Sequence, residues 1–380
     1  MRTSKTLALV AACGSLALGV AACGDSDDAT TSGGGGAAAS GGEKLSGTIS
    51  GAGASSQAAA QEAWRAAFQE ANPDATVSYD PVGSGGGREQ FVAGGTQFAG
   101  SDAALEDDEL TGAQKVCGGP DNLIEVPAYI SPIAIVYNLE GVENLQLSAE
   151  TAAKIFKGEI TTWNDPAIKA DNPDAELPGD RISVVHRSDE SGTTENFTDY
   201  LSKAADGVWT AQVSGDWPTK GGEAAQGTSG VIEAVTAGKG SIGYADESQA
   251  GELGKASIKV GDAWVPPSAE GAAKTVEVSK ETSDAGEHVF TYELDRTTTA
   301  AGAYPITLVS YLIGCTQYKD AAQASLVKGY FNYVISADGQ AKGQEAAGSA
   351  PLSDALRSKF QPAVDAIGGS SSGGSTTTTG

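Results

Sequence analysis

The chain has 380 residues, with 24 Lys and Arg against 49 Asp and Glu and a formal net charge of −25 at pH 7. This balance excludes an ordinary nucleic-acid-binding protein, which needs a basic surface to release counterions, and it excludes docking on anionic lipid through a basic patch. Hydrophobic residues make up 40% of the chain, which is enough for a substantial core, and the length favours two domains or one large domain.

The N-terminal residues 1–23 are predicted to form a secretory signal peptide. Arg2 and Lys5 precede an apolar stretch at residues 7–20, which is too short to span a bilayer comfortably. The sequence VAACG at 20–24 resembles a bacterial lipobox, after which Cys23 would carry a diacylglycerol anchor. The alternative is a plain signal peptide cleaved after an Ala-x-Ala-like site, with an incidental Cys23.

The segments that flank the folded part are predicted to lack a core. Residues 24–43 are rich in Ser, Asp, Thr, Ala and Gly and favour a flexible tether, and residues 368–380 form a similar disordered tail. The tail contains a formal G-x-S-x-G match at 369–373. No strand pattern precedes this match and no helix pattern follows it, so no hydrolase motif is predicted there.

Between residues 45 and 367, strand-like and helix-like patterns alternate, which predicts an α/β protein. In chain order the prediction is a strand at 45–50, a helix at 55–71, a strand at 76–79, a brief helix ending at 91, strands at 133–137 and 182–185, a helix at 194–202, a strand at 306–313, and helices at 321–335 and 352–367.

Three loops of this pattern share one design. Residues 51–56, 83–87 and 187–193 each lead from a strand to a helix and end in glycine or small hydroxyl residues. A helix start leaves backbone N–H groups and the positive end of the helix dipole facing outward, so the loops predict an anion site. For any one loop the alternative is a tight turn with an N-cap. No G-x-x-x-x-G-K-[ST] motif supports a nucleotide site.

Two charged residues add to this prediction. The Arg187 guanidinium suits bidentate binding of a tetrahedral oxyanion, and Asp189 is placed to orient it. The Asp102 carboxylate would accept a hydrogen bond from an anion that keeps a proton, as phosphate does, and would repel sulfate. Taken singly, Asp102 as a helix cap and Arg187 as a surface charge remain alternatives.

The four cysteines and two histidines show neither Cys-x-x-Cys nor His-x-x-x-His spacing, so we expect no metal site and no cofactor. Outside the cytoplasm, the pair Cys117 and Cys315 favours a disulfide over two buried free thiols.

Six motifs of the sequence are similar to those of a known family. They are SGAGASS at 50–56, VGSGGG at 82–87, AGSDAAL at 99–105, IFKGEITTWNDPAI at 155–168, VVHRSDESGTT at 184–194 and GSIGY at 240–244. Over residues 45–367 the chain resembles the phosphate-binding subunit of bacterial phosphate ABC importers. This resemblance implies a two-lobe periplasmic-binding-protein-like fold of type II with a hinge of two crossings. Lobe I would span 44–131 plus 296–367, and lobe II would span 132–295.

The resemblance also implies which residues bind. Phosphate would be held by Ser55, the amide of Ser56, Ser84, Asp102, Arg187, Ser191, Gly192 and Thr193, with Asp189 holding Arg187. Three positions depart from the family pattern. Ser56 stands where Phe is common, Gly85 replaces Ser, and Glu190 replaces Gly and would increase the local repulsion of an anion. Cys117 and Cys315 are not part of the general pattern.

We therefore expect a lipid-anchored, extracytoplasmic monomer that captures inorganic phosphate and delivers it to membrane permease subunits, without catalysis and without binding nucleic acid. The nearest alternative is the same fold binding another oxyanion such as sulfate or molybdate. Two more distant alternatives are a secreted serine hydrolase using Ser191 with His186 and an adhesive lipoprotein.

Overall fold

The computed structural model describes residues 44–105, 107–282 and 285–368. The predicted signal peptide with Cys23, the tether at 24–43 and residues 369–380 of the predicted tail lie outside the described residues. Within the described part of the chain, none of the helices has the length and apolar character required to cross a membrane.

The strands are β1 Gly47–Gly53, β2 Ala75–Asp80, β3 Phe98–Ser101, β4 Leu123–Tyr137, β5 Gln146–Leu147, β6 Ser183–Arg187, β7 Glu223–Ala225, β8 Ser241–Asp246, β9 Gly254–Lys255, β10 Ser257–Val260, β11 Ala263–Val265, β12 Lys280–Thr282, β13 Thr291–Glu293 and β14 Thr307–Cys315. The helices are α1 Ala58–Ala71, α2 Ser84–Val92, α3 Asp107–Cys117, α4 Ala149–Phe156, α5 Pro166–Asp171, α6 Gly192–Ala204, α7 Gly227–Ala237, α8 Ala269–Val278, α9 Ala321–Ile335, α10 Ala337–Ala347 and α11 Asp354–Asp365.

The main sheet has the strand order β2-β1-β3-β14-β4-β8-β6-β7, with β9 paired to β4. β1 runs parallel to β2 and β3, and β6 runs parallel to β7 and β8. β14 and β4 lie antiparallel between these two parallel groups. The result is an α/β architecture with one parallel group in each half, which confirms the predicted fold class.

β4 links the two halves of the sheet. Its residues 123–132 pair with β14, whereas its residues 133–137 pair with β8. We define lobe I as the part that carries β1, β2, β3, β14 and the first part of β4, and lobe II as the part that carries the rest of β4, β6, β7 and β8. The pairing of β4 changes next to the predicted boundary after residue 131, and the residue-level boundaries of the lobes stay a prediction.

A second connection between the lobes is the segment that precedes β14. Arg296 in this segment is buried, and its guanidinium donates to the carbonyl oxygens of Pro305 and Thr307 at 2.9 and 2.7 Å. The same guanidinium reaches α6 of lobe II, where it donates to Asp199 at 2.8 Å and to Asn196 at 2.5 Å. This buried arginine therefore ties the second crossing to both lobes.

Each lobe is stabilised by buried aromatic side chains. In lobe I, Trp64 of α1 is fully buried and donates its Nε1 hydrogen to Gly339 O at 2.7 Å, and Phe98 of β3 contacts Phe331 of α9 edge to face. Cys117 at the end of α3 is joined by a disulfide to Cys315 at the end of β14. The disulfide thus attaches α3 to β14 of lobe I.

The structure corrects several predicted boundaries. The first strand is Gly47–Gly53 rather than 45–50, and the helix predicted at 55–71 begins only at Ala58, which leaves Ser55 and Ser56 in the preceding turn. β4 is 15 residues long, whereas only 133–137 are predicted. Pro127 within it lies beside the β-bulge at which the pairing of β4 with β14 shifts register, and a residue without an N–H is tolerated there. Helices α3, α4, α5, α7, α8 and α10 are not predicted from the sequence.

Candidate functional site

The predicted binding loops lie where parallel strands end. β1 leads through Ser55 and Ser56 to α1, β2 leads to α2 at Ser84, and β6 leads to α6 at Gly192. Asp102 directly follows β3. Because parallel strands present their carboxyl ends at one edge of a sheet, each lobe brings its loops to the same edge. Backbone N–H groups at the starts of α1, α2 and α6 therefore surround one cleft.

Asp102 is the point where these loops meet. Its side chain is buried, with 3% of the residue exposed. Its Oδ1 accepts hydrogen bonds from Ser56 Oγ and Ser310 Oγ, both at 2.6 Å, and its Oδ2 accepts one from Thr193 Oγ1 at 2.8 Å. Its backbone N donates to Ser84 Oγ at 3.1 Å. The carboxylate thus joins loops of lobe I to the start of α6 in lobe II.

Ser310 is a site residue that the sequence prediction misses. It lies in the middle of β14, where nothing in the local sequence distinguishes it from other strand residues. Its approach to Asp102 depends on the pairing of β14 with β3.

Arg187 is held in one orientation by its neighbour. Its Nε and Nη2 donate to the two carboxylate oxygens of Asp189 at 2.8 and 2.5 Å, and Arg187 is 3% exposed. Burial alone would raise the pKa of Asp189, but the hydrogen bonds and charge of Arg187 lower this pKa below its ordinary value. The predicted role of Asp189 in orienting Arg187 therefore has the geometry that it requires.

The turn of Ser191, Gly192 and Thr193 fits closely against lobe I. Ser191 is the N-cap of α6 and accepts from Thr194 N at 3.3 Å. A Cβ atom added to Gly192 would lie 2.7 Å from Asp102 Cβ and 2.8 Å from Ser84 Oγ, so no larger residue fits at position 192. The glycine is needed for this close approach rather than for a positive φ.

Tyr244 of β8 fixes the first part of α6 through its ring and its hydroxyl group. Phe197 stacks on Tyr244 of β8, with 4.5 Å between the ring centroids. The Tyr244 hydroxyl is 2.7 Å from Thr194 Oγ1 and accepts a hydrogen bond from Arg187 N at 3.3 Å. The first turn of α6 and the end of β6 therefore share one buried anchor.

A fourth helix start faces the cleft, and the sequence prediction does not include it. Thr228 at the start of α7 donates its backbone N–H to Ser55 Oγ at 3.1 Å, and the two hydroxyl oxygens are 3.0 Å apart. Gly227 N donates to Asp189 Oδ1 at 3.0 Å. The signal in the sequence is a glycine followed by small hydroxyl residues at a helix start, which is the same design as in the other loops.

The structure shows which groups are contacted by the side chains at two of the positions that depart from the family pattern. Ser56 is fully buried and its hydroxyl is directed at Asp102. The Glu190 carboxylate pairs with Arg88 of α2, with 3.1 Å between Oε1 and Nη2. The repulsion expected from Glu190 is therefore offset in part by a cation of lobe I.

His186 does not pair with Ser191. Its ring stacks on Trp217, with 5.1 Å between the centroids, and its Nδ1 is 2.9 Å from Arg187 O. Because nucleophilic hydrolysis needs a base in contact with the serine hydroxyl, this geometry argues against the hydrolase alternative. Among the described residues, no group of three or more His, Cys, Asp or Glu could hold a metal ion.

The chain is similar to known binding proteins over most of its length. Residues 38–338 match the PBP superfamily domain, a class of two-lobe α/β binding proteins. Phosphate-binding protein PstS 3 of Mycobacterium tuberculosis (strain ATCC 25618 / H37Rv) is 36% identical over 376 residues, which cover 97% of this chain and 100% of the relative. Phosphate-binding protein PstS of Xylella fastidiosa (strain Temecula1 / ATCC 700964) is 36% identical over 78% of this chain and 79% of the relative.

Solved structures share the fold. A high affinity periplasmic phosphate-binding protein (PfluDING) bound with phosphate aligns with a TM-score of 0.67 at 24% identity, over 83% of this chain and 93% of that chain. A phosphate-binding protein from Stenotrophomonas maltophilia aligns with a TM-score of 0.64 at 21% identity, over 83% of this chain and 93% of that chain. The chain belongs to the PstS family of phosphate-binding subunits of bacterial phosphate ABC transporters, which confirms the resemblance seen in its motifs.

Proposed function

We propose that this chain captures inorganic phosphate outside the cytoplasm and delivers it to the permease subunits of an ABC importer. The relatives that support this function are named phosphate-binding proteins. The observation that carries it is the hydrogen bond between Thr193 of lobe II and Asp102 of lobe I, at 2.8 Å, with the Arg187 and Asp189 pair on the loop that leads to Thr193. A carboxylate next to a guanidinium and several helix starts suits an anion that keeps a proton.

In this proposal the eight predicted residues divide between the lobes. Lobe I provides Ser55, the amide of Ser56, Ser84 and Asp102, and lobe II provides Arg187, Ser191, Gly192 and Thr193. Asp102 accepts a hydrogen bond from the protonated phosphate oxygen, the other groups donate to phosphate oxygens, and no covalent bond is made or broken. Contacts from both lobes favour the closed arrangement, so binding drives a hinge motion.

The proposed assembly also includes features outside the site. The lobes are residues 44–131 plus 296–367 and residues 132–295, the chain acts as a monomer, and a lipid on Cys23 anchors it to the membrane. Metabolic labelling with a palmitate analogue tests the anchor. We expect label on the wild type and none on C23S, and an unlabelled wild type would contradict the anchor without affecting phosphate binding.

Calorimetry on the full mature chain tests the proposed function. We expect one phosphate per chain, weak competition by sulfate or molybdate, and a loss of affinity of about 100-fold or more in R187M, because a bidentate charge-assisted contact disappears. R181M is the matched control, since it makes the same replacement of Arg by Met at a position where the side chain is exposed. Equal competition by sulfate would favour the alternative of a general oxyanion receptor.

A further inference from the structure

Two of the positions that depart from the family pattern face each other across the cleft. Glu190 belongs to the lobe II loop that carries Arg187 and Ser191, and Gly85 is the second residue of α2 in lobe I. A Cβ atom placed on Gly85 would overlap Glu190 Oε2, and it would lie 3.0 Å from Glu190 Cβ. A Cβ atom on Gly215 would overlap Glu190 Oε1. The Glu190 carboxylate therefore occupies space that exists because both neighbours are glycines.

The cation that pairs with the Glu190 carboxylate belongs to lobe I. Arg88 is 5% exposed, and its Nη2 donates to Glu190 Oε1 at 3.1 Å. Its remaining nitrogens donate to Ser101 Oγ and to Glu109, both at 2.8 Å. Arg88 is thus fixed within lobe I independently of Glu190. We call Gly85, Arg88 and Gly215 the Glu190 seat.

The seat connects two parts of the proposed phosphate site. α2, which carries Gly85 and Arg88, begins with Ser84, whose hydroxyl accepts from Asp102 N. Glu190 lies directly between Asp189 and Ser191 in the other lobe. When Glu190 is seated, the loop of lobe II is held against the helix of lobe I on which Ser84 is placed.

We propose that Glu190 is a positioning residue for phosphate capture, and that seating of its carboxylate on Arg88 between Gly85 and Gly215 helps to hold the two lobes closed. Glu190 does not touch the anion in this role. The inference rests on the proposed function, because closure matters only if the cleft captures a ligand.

The strength of this contact is limited by opposing effects. Burial raises the pKa of Glu190 more than the Arg88 charge lowers it, and the carboxylates of Glu109 and Asp216 oppose its ionisation further. Glu89, Asp189 and Glu195 line a separate cavity of about 560 Å³ that also contains Glu190. The Glu190 side chain is 33% exposed and lines this cavity, so it has room to leave the seat. The seat therefore adjusts affinity rather than determining whether the anion binds.

Two substitutions remove the same contact from opposite lobes. G85A blocks the seat, and E190A removes the side chain that fills it. We expect each to weaken phosphate affinity by about tenfold, the effect of losing one partly buried charge-assisted hydrogen bond. In the E190A background, G85A should weaken affinity further by about threefold at most, because the side chain that it displaces is absent. E190Q keeps the shape and the acceptor for Arg88, and it should bind within about threefold of the wild type.

Calorimetry with inorganic phosphate on the full mature chain measures this cycle, and thermal unfolding without phosphate accompanies it. G85A should unfold at the same temperature as the wild type or higher, because alanine favours a helix and the clash arises only between lobes. G230A in α7 is the matched control, since its added Cβ would lie 3.6 and 3.7 Å from Ala225 atoms, an ordinary contact distance. G230A should leave phosphate affinity unchanged.

The outcomes separate this role from the proposed function. The positioning role would be overturned if E190A bound phosphate with wild-type affinity, or if G85A lowered phosphate affinity equally in the wild type and in E190A. Phosphate binding itself would stand in either case. A wild-type chain that bound no phosphate would overturn the proposed function and this role with it.

Discussion

Replacing Asp102 by Asn tests how the site distinguishes oxyanions. Asn has the same shape, and its side-chain oxygen still accepts from Ser56 and Ser310, so the buried contacts at Oδ1 survive. Thr193 Oγ1 can turn to accept from the new amide at the position of Oδ2. The change therefore removes one negative charge from the cleft with little effect on its geometry.

The magnitude follows from the burial of this carboxylate. Two unit charges about 4 Å apart at an effective dielectric constant of about 20 interact by about 4 kcal/mol. Sulfate and HPO4²⁻ carry the same net charge at mildly alkaline pH, so both meet this repulsion in the wild type and both escape it in D102N. Phosphate also loses the hydrogen bond that it donates to the carboxylate, which contributes about 1.5–3 kcal/mol. We therefore expect the ratio of phosphate to sulfate affinity to fall by about 10-fold to 100-fold.

Calorimetric titration with phosphate and with sulfate at mildly alkaline pH measures this ratio, because phosphate keeps a proton there and sulfate keeps none. D108N is the matched control, since Asp108 is an exposed carboxylate on α3. D108N should leave both affinities as in the wild type. An unchanged ratio in D102N would refute the assignment of Asp102 as the acceptor of the ligand proton.

Three further predictions concern the support of the site and the stability of the fold. S56A removes one of the two donors to Asp102 Oδ1, and phosphate affinity measured by calorimetry should fall by about threefold to tenfold; an unchanged affinity would show that Ser310 alone suffices. Burial raises the pKa of Asp246 from 3.8 to about 7, so the folded chain binds this proton more tightly than the unfolded chain and stability falls as pH rises between these values. Above pH 7 the ionised Asp246 lowers the free energy of unfolding by about 4 kcal/mol. The melting temperature of D246N relative to the wild type should therefore increase with pH across this window, and a constant difference would contradict the pKa shift. The disulfide between Cys117 and Cys315 spans 198 residues, and C117S/C315S should lower the free energy of unfolding in denaturant by about 3–5 kcal/mol, whereas equal stability would show that it does not constrain the unfolded chain.

The loops of the candidate site could be predicted because each is determined by a few consecutive residues. A strand followed by glycine and small hydroxyl residues, and then by a helix, encodes both the turn and the outward N–H groups in a few consecutive residues. The same reasoning applies to Asp189, which lies two residues from Arg187 and therefore reaches it without help from the fold. These positions need only the secondary structure to be assigned correctly.

The contacts that close the site were not predictable, because they join residues far apart in the chain. Ser310 is 208 positions from Asp102, and Thr228 is 173 positions from Ser55. The pairing of β14 with β4 also shifts register between Ser310 and Tyr311, directly next to the residue that contacts Asp102. No pattern in the local sequence records such a shift, since a one-residue change in register reverses every side chain on a strand.

The net charge of −25 raises the question of how an anion is held at all. Arg187 supplies less positive charge than its presence suggests, because Asp189 already pairs with it, and Arg88 is likewise paired with Glu190 and Glu109. What remains directed at the cleft is a set of neutral donors at the starts of α1, α2 and α6, fixed in orientation before any ligand arrives. Such donors act at contact distance, whereas the surface carboxylates are screened by salt beyond about 8–10 Å. An acidic chain can therefore bind an anion selectively, because paired arginines and oriented amides need no excess of positive charge.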